Sequence, residues 1–205
     1  MTGDAWDAVV VGAGPAGLSA ALWLARYRRR TLVLDDDRPR NEAAWAVHGY
    51  PGLPDPTPAE LRARLEEQAS AAGATLERCR VEMVAGAKDD FSIRAVDGEP
   101  TRARRIVLAY GRRDRLPDLP GLTDFYGTSV FHCPDCDGPS FADTHIGVVG
   151  WNWMATAVRC PILRRGTCET AATSVRSTAI GRTLRKLALT RPRFGYTVTC
   201  VPFAT

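Results

Sequence analysis

A glycine-rich turn near the N-terminus constrains this chain more than any other feature. Residues 12–17 read Gly12-Ala13-Gly14-Pro15-Ala16-Gly17, a complete G-x-G-x-x-G. The run 7–11 before it reads as a short buried parallel strand. Residues 15–28 read as a helix, with Leu18, Ala21, Leu22 and Ala25 at helical spacing and Arg26 to Arg30 placing positive charge at its C-terminal end. A second strand, 31–34, closes on Asp35, Asp36 and Asp37. Strand, helix and strand in such quick succession make a βαβ unit. In that context the first glycine permits a tight turn, the second lets backbone approach a pyrophosphate, and the third lets helix pack on strand. The helix N-terminus adds unpaired N–H groups and the positive end of its dipole. Asp35, 21 residues after Gly14, stands where a carboxylate accepts from ribose hydroxyls. The expectation is an α/β fold that binds an adenine dinucleotide.

The rest of the chain elaborates this start. Residues 38–56 are loop-like, rich in Pro, Asn, Gly and Asp. A helix is expected from Thr57, where Thr57 and Glu60 form a capping box and Pro58 takes the first helical position. Leu61 and Leu65 give it an apolar side, and Gly73 ends it. Strand-like runs follow near 74–84 and 91–96, then a turn at Asp97-Gly98 and one more strand over 102–109. These read as an antiparallel crossover feeding back into the main sheet. Residues 111–122 read as a linker, and 146–149 as another buried strand ending at Gly150. There are no internal repeats.

Six cysteines, at 79, 133, 136, 160, 168 and 200, are too few and too unevenly spaced for a disulfide scaffold. One pair is distinctive: Cys133-Pro134-Asp135-Cys136, followed by Asp137-Gly138-Pro139. Two intervening residues let two thiols close a small, reducible ring. Gly138 and Pro139 stop a long helix from starting, unlike a thioredoxin-type motif. Asp135 and Asp137 oppose thiolate formation by like charge, and Asp137 can instead give a proton to a departing thiolate. Structural zinc needs a second ligand pair, for which Cys160 and Cys168 are poorly spaced, so no metal is expected. Unlinked structural thiols stay open as an alternative. His48, in His48-Gly49-Tyr50-Pro51-Gly52, and His132 are candidate acid–base groups, though each reads more simply as a hydrogen-bonded loop histidine. Cys79 reads as core. Gly150-Trp151-Asn152-Trp153-Met154-Ala155 sits where a second dinucleotide fingerprint would be, with Asn152 at the second glycine's position obstructing phosphate approach.

Taken together these motifs carry a resemblance. The GAGPAG turn, the Tyr50-Pro51-Gly52 loop, the Leu108-Ala109-Tyr110-Gly111 strand end, Leu119-Pro120-Gly121 and the C-x-x-C-D-G stand in the order found in the low-molecular-weight thioredoxin reductases and their relatives, which include FAD-dependent dithiol oxidases. The chain resembles that pyridine nucleotide-disulfide oxidoreductase family over about residues 5–157. The resemblance implies FAD on the first Rossmann unit, with Gly12, Gly14, Pro15, Ala16 and Gly17 at the pyrophosphate, Asp35 at the ribose and Gly111 nearby. It implies NADPH on a second domain at Gly150. It also implies electron flow from NADPH through flavin to a Cys133–Cys136 disulfide, with Cys136 facing the flavin, Cys133 attacking the substrate and Asp137 handling the proton. A thioredoxin-like protein or a small disulfide is the implied substrate. Dimerisation is carried over from the relatives, with no interface signal in the residues themselves.

The expected architecture is a Rossmann-like FAD-binding ββα three-layer domain, its N-terminal part over 1–117, and an incomplete second Rossmann-like NAD(P)-binding domain starting over 118–157. Residues 158–205 form an atypical basic tail. Residues 1–157 hold 18 basic and 22 acidic side chains, whereas 158–205 hold 9 basic and 1 acidic. The family's C-terminal Gly-Asp, which holds the flavin, has no counterpart, since Gly-Asp occurs only at Gly3-Asp4. A truncated or frameshifted gene would produce both features. Tyr110 also replaces the threonine usual at the family's strand end. Two further readings stay open: an FAD-dependent dithiol oxidase that passes electrons to oxygen, and a non-catalytic dinucleotide- or nucleic-acid-binding module. The tail's aromatics, Phe194 and Tyr196, lack the interleaving that stacking on nucleic acid wants, so no nucleic-acid partner is expected. No run of 18 apolar residues and no basic n-region appear, so neither membrane span nor signal peptide is expected, and the location is cytoplasmic by default.

Overall fold

The computed structural model describes residues 5–114, 116, 122–131, 133–141, 145–149, 168–170 and 199–203. Contacts divide the chain into two compact units, one of residues 1–42 and 58–112, the other of residues 43–57 and 113–205.

The first unit is the Rossmann-like domain. Strand β1 (Ala8–Val11) and β2 (Thr31–Asp35) flank helix α1 (Pro15–Arg26) in sequence, and α2 (Pro58–Ala71) leads to β3 (Thr75–Arg78). Three antiparallel strands follow, β4 (Val81–Ala87), β5 (Asp90–Ala95) and β6 (Thr101–Ala103), before β7 (Ile106–Leu108) rejoins the main sheet. The main sheet has the order β3-β2-β1-β7, and every pairing in it is parallel. The smaller sheet runs β4-β5-β6.

Successive side chains leave a strand on opposite faces, so the buried residues of β1 and β2 divide between two cores. Val10 and Val33 pack with Ala13, Leu18, Ala21, Ala25, Ala69 and Ala74 under the two helices. Val9, Val11, Leu32 and Leu34 turn the other way, onto Ile93 and Ala103 of the antiparallel layer. A sheet covered on both faces has no polar side, which is why 8–11 and 32–34 are continuous apolar runs. The expected ββα three-layer α/β arrangement is present.

Three expectations need correction. The run 74–84 is two strands, because the chain leaves β3 at Cys79, whose N–H donates to the Asp35 carbonyl, and starts the antiparallel layer at Val81. The run 102–109 is likewise split between two sheets. At the break, the Arg104 N–H donates to the Trp6 carbonyl and the Val9 N–H to the Arg105 carbonyl. Helix α1 stops at Arg26 and not Arg28, because Arg28 adopts a left-handed φ of 57°. Gly73 does end α2. Its φ is 103°, its N–H donates to Ser70, and the Ala74 N–H donates to Ala69, closing a Schellman motif.

In the second unit, α3 (Leu122–Phe125) and α4 (Pro134–Asp137) are single turns, and a 3₁₀ turn spans Gly138–Phe141. Strand β8 (His145–Val149) pairs in parallel with β9 (Cys168–Thr170) and antiparallel with β10 (Thr199–Phe203). Two short stretches of the basic tail therefore lie on this sheet, where the sequence showed no strand pattern. Among the described residues no helix is long and apolar enough to cross a membrane.

Leu18 and Ile93 are both fully buried, on opposite sides of the main sheet. Leu18→Ala is expected to cost about 2–5 kcal/mol and Ile93→Val about 0.5–1.5 kcal/mol. With no shared partners the double variant should equal their sum within about 0.5 kcal/mol, measured by urea denaturation. A larger discrepancy would mean that the two layers do not pack independently.

Candidate functional site

Two clusters of the expected residues form, one in each unit. The first is the glycine-rich turn at the carboxyl end of β1, flanked by β2 on one side and β7 on the other. That is the strand-order switch point at which open α/β sheets bind ligands. The Gly12 N–H donates to the Leu34 carbonyl (2.8 Å), and the Ala13 N–H to Asp35 Oδ1 (2.8 Å). Gly12 has φ 105°, and a Cβ there would come within 2.3 Å of the Ala109 carbonyl oxygen. A Cβ on Gly17 would come within 1.9 Å of the Gly12 carbonyl oxygen. Both glycines are demanded by the protein's own backbone.

Gly14 differs. A Cβ on it would meet nothing within 4 Å. It is the N-cap of α1 in an extended conformation, with no side chain capping the helix. Pro15 and Ala16 beyond it are exposed. The first turn of α1 thus presents its N–H groups and positive dipole end to open space, an anion site that fits a dinucleotide pyrophosphate.

Asp35 carries more than its position at the end of β2 implies. Oδ1 holds the Ala13 N–H, while Oδ2 accepts from the Asp37 N–H (3.0 Å) and from Arg62 (2.6 Å). Arg62, on α2, also reaches Asp37 (2.7 Å) and Glu66 (2.8 Å), and Arg78 reaches Glu66 (2.7 Å). Burial works against the Arg62 charge, but its hydrogen bond to Glu66 and the charges of Asp35, Glu66 and Asp37 outweigh that and raise its pKa. Sequence reasoning missed Arg62 and Arg78; the i, i+4 spacing of Arg62 and Glu66 was the available signal. Gly111 follows β7 with φ 66°.

The second cluster is the C-x-x-C. Cys133 and Cys136 are joined by a disulfide, S–S 2.03 Å. The Cys136 N–H points at Cys133 Sγ (3.2 Å), and the Asp137 N–H donates to the Cys133 carbonyl (3.1 Å), so one helical turn closes the ring. Cys136 is exposed and Cys133 half-buried. Asp137 is only 6% exposed. Burial raises its pKa, and the nearby His48 pulls the other way. This is the condition under which a carboxyl holds a proton that an exposed one would lose.

His48 lies on the 43–57 loop, with Nδ1 2.8 Å from Asp55 Oδ1 and its ring edge-on to Trp45. That loop is seated against the 122–131 segment, where a Cβ on Gly127 would strike the Ala43 carbonyl. Cys79 is half-buried against the antiparallel layer, and burial raises its thiol pKa. His132, Gly150, Asn152 and Cys160 lie outside the described residues. Among the described residues no three His, Cys, Asp or Glu side chains are grouped to hold a metal ion.

Comparison with known proteins agrees with this geometry. The pyridine nucleotide-disulphide oxidoreductase profile matches residues 6–156. The thioredoxin reductase tcpT of Claviceps purpurea is 37% identical over 141 residues, which is 67% of this chain and 44% of that protein. The thioredoxin reductase of Treponema pallidum is 34% identical, over 71% of this chain and 48% of that one. The chain therefore spans about half the length of the curated relatives it matches. The structure of an oxidoreductase from Agrobacterium tumefaciens superposes with a TM-score of 0.73 at 29% identity, covering 90% of this chain and 63% of that one.

Gly14→Ala should leave stability within about 1 kcal/mol of the parent. With FAD as the probe of the anion site, it should also weaken binding about tenfold or more, read by flavin fluorescence quenching. Gly17→Ala should lose more than about 2 kcal/mol through the backbone clash. Equal stability losses in both would remove the distinction drawn between them. Asp137 supplies a third expectation. Its raised native pKa means that it favours the fold most below about pH 4, and that this contribution is lost as pH rises through the native value. Asp137→Asn should therefore gain stability relative to the parent as pH rises from about 4, in urea midpoints across a pH series. A pH-independent difference would contradict it.

Proposed function

Because this chain belongs to the pyridine nucleotide-disulphide oxidoreductase family, we propose that it is a disulfide oxidoreductase of the thioredoxin reductase type, linked to FAD and NADPH. The observation that carries this reading is the Cys133–Cys136 disulfide with a buried Asp137 at the next position. In this reading residues 1–117 belong to the FAD-binding domain, and 118–157 begin the NAD(P)-binding domain, with Gly150 at its fingerprint.

FAD, held at the glycine-rich turn, would supply two-electron reduction of the disulfide, with NADPH as the hydride source. The chain's residues do the rest. The backbone at Gly12, Gly14, Pro15, Ala16 and Gly17 cradles the pyrophosphate. Asp35 holds the turn in shape through the Ala13 N–H and stands toward the ribose. Gly111 lies at the strand end nearby. Once reduced, the Cys133 sulfur attacks one sulfur of the substrate disulfide, and the other sulfur departs with a proton from Asp137. Cys136 then attacks Cys133, which closes the ring and frees the second product thiol. A thioredoxin-like protein or a small disulfide is the substrate, and a cytoplasmic homodimer completes the reading.

One observation favours a second reading. Asn152 stands where an NADPH fingerprint has its second glycine. A weak NADPH site suits a dithiol oxidase, in which the same cysteines take electrons from a dithiol and oxygen receives them.

The test is the visible spectrum of the purified chain with added FAD, under anaerobic conditions. Bleaching of the flavin band on NADPH, kept in Cys133→Ser while exchange with a disulfide substrate is lost, supports the reductase. A band that bleaches only with a dithiol supports the oxidase. A chain that takes up no flavin overturns both.

A further inference from the structure

Five charged side chains meet at the carboxyl end of the main sheet, and the reading above uses only one of them. Asp35 ends β2, Arg78 ends β3, and the two are partners in the parallel register. Arg62 and Glu66 reach them from α2, and Asp37 from the loop after β2. A carboxylate has about four acceptor positions. On Asp35, Oδ1 takes the Ala13 N–H of the glycine-rich turn, and Oδ2 takes the Asp37 N–H and Arg62. Arg78 stands 3.5 Å from the same Oδ2. Among the described residues, the remaining acceptor position is on Oδ1, on the oxygen that already holds the turn.

An arginine is well shaped for a phosphate, because its planar fork donates two parallel N–H bonds. Here both forks are already engaged. Arg62 gives Nη2 to Asp35 (2.6 Å), Nη1 to Asp37 (2.7 Å) and Nε to Glu66 (2.8 Å), and only 16% of its side chain is exposed. Arg78 gives Nη2 to both oxygens of Glu66 (2.7 and 2.8 Å). In this group three carboxylates face two guanidiniums. A phosphate monoester brings a further charge of about −1.5 to −2. To settle here it would have to pull an arginine off its carboxylates and then sit beside them. A sugar hydroxyl is neutral and can donate, so it asks for neither.

We propose that Arg62 and Arg78 are specificity-determining residues at the adenosine end of the glycine-rich turn, withheld from a ligand phosphate by Asp35, Asp37 and Glu66. The turn then takes an adenosine with bare ribose hydroxyls and refuses its 2′-phosphorylated counterpart. The inference rests on the dinucleotide reading of the turn. It adds a sorting role, since FAD has a bare adenosine ribose and NADPH a 2′-phosphate, and the cluster keeps the hydride donor out of the flavin's place. Asp35 is the member on which sorting depends, because of the five it alone bonds both the turn and an arginine. In Asp35→Asn the side-chain carbonyl can still accept from Ala13, while the amide nitrogen turns a donor toward Arg62. Two donors then face each other, and the guanidinium is released to a phosphate.

NMR titration of the whole chain tests this, with ADP and 2′-phospho-ADP as probes. Binding is read at the Gly14 amide, identified by its loss in Gly14→Ala, so that occupancy at any second nucleotide site does not count. The parent should prefer ADP about tenfold or more. Asp35→Asn should move the ratio of the two affinities toward 2′-phospho-ADP about tenfold or more, and Arg62→Met added to it should remove that gain. A carboxylate that only held the turn in shape would weaken both probes alike and leave the ratio where it was. Should Asp35→Asn fail to fold, Asp37→Asn takes its place, since the Asp37 side chain is 64% exposed, and the ratio should move the same way about threefold. A parent without preference, an unmoved ratio in a folded variant, or a gain that survives Arg62→Met would overturn the sorting role alone. A parent whose Gly14 amide responds to neither probe would overturn the dinucleotide reading and the sorting role with it.

Discussion

Backbone meeting backbone at one point governs the first unit. The carbonyl of Ala109 at the end of β7, the turn at Gly12 and the start of α1 at Gly17 lie so close that no side chain fits between them. That contact sets where α1 begins and how closely it lies on the sheet. It also brings β7 beside β1 after a detour through three antiparallel strands. Asp35 locks the same turn from the β2 side by accepting the Ala13 N–H, and Arg62 ties that carboxylate to α2. A local rule about glycine and a long-range ion cluster thus converge on six residues of chain.

The two clusters use electrostatics in opposite ways. Around Asp35 the charges are paired: two arginines against three carboxylates, partly open to water. Around Asp137 burial favours the neutral acid, and the nearby His48 opposes it. The first arrangement holds a shape; in the proposed chemistry the second keeps a proton available beside the sulfurs.

Much of this is legible from the residues, because the rules involved are local. The G-x-G-x-x-G needs only its neighbours to be read, and so do the apolar runs of a doubly covered sheet and the glycine that ends α2. The boundaries that misled are those where the chain changes sheets, at Cys79 and at Arg104–Arg105. A β-rich run gives the same local pattern whether its two halves pair with one partner or with two, so only the fold decides. His48 reads from its surroundings in sequence as an ordinary loop histidine. What sets it apart is the approach of Asp55 across two glycine turns, which has no sequence period. Arg62 is a similar case: its i, i+4 partner Glu66 was visible, while Asp35 and Asp37 were not.

Gly14 has a consequence in terms of inheritance. Gly12 and Gly17 are small because the protein would otherwise collide with itself, so any descendant that still folds must keep them. Gly14 faces empty space, and folding places no demand on it. A lineage that had stopped binding its nucleotide would be free to replace that one glycine while retaining its two companions. The three positions therefore keep separate records, two of ancestry and one of use, and in this chain all three are glycine.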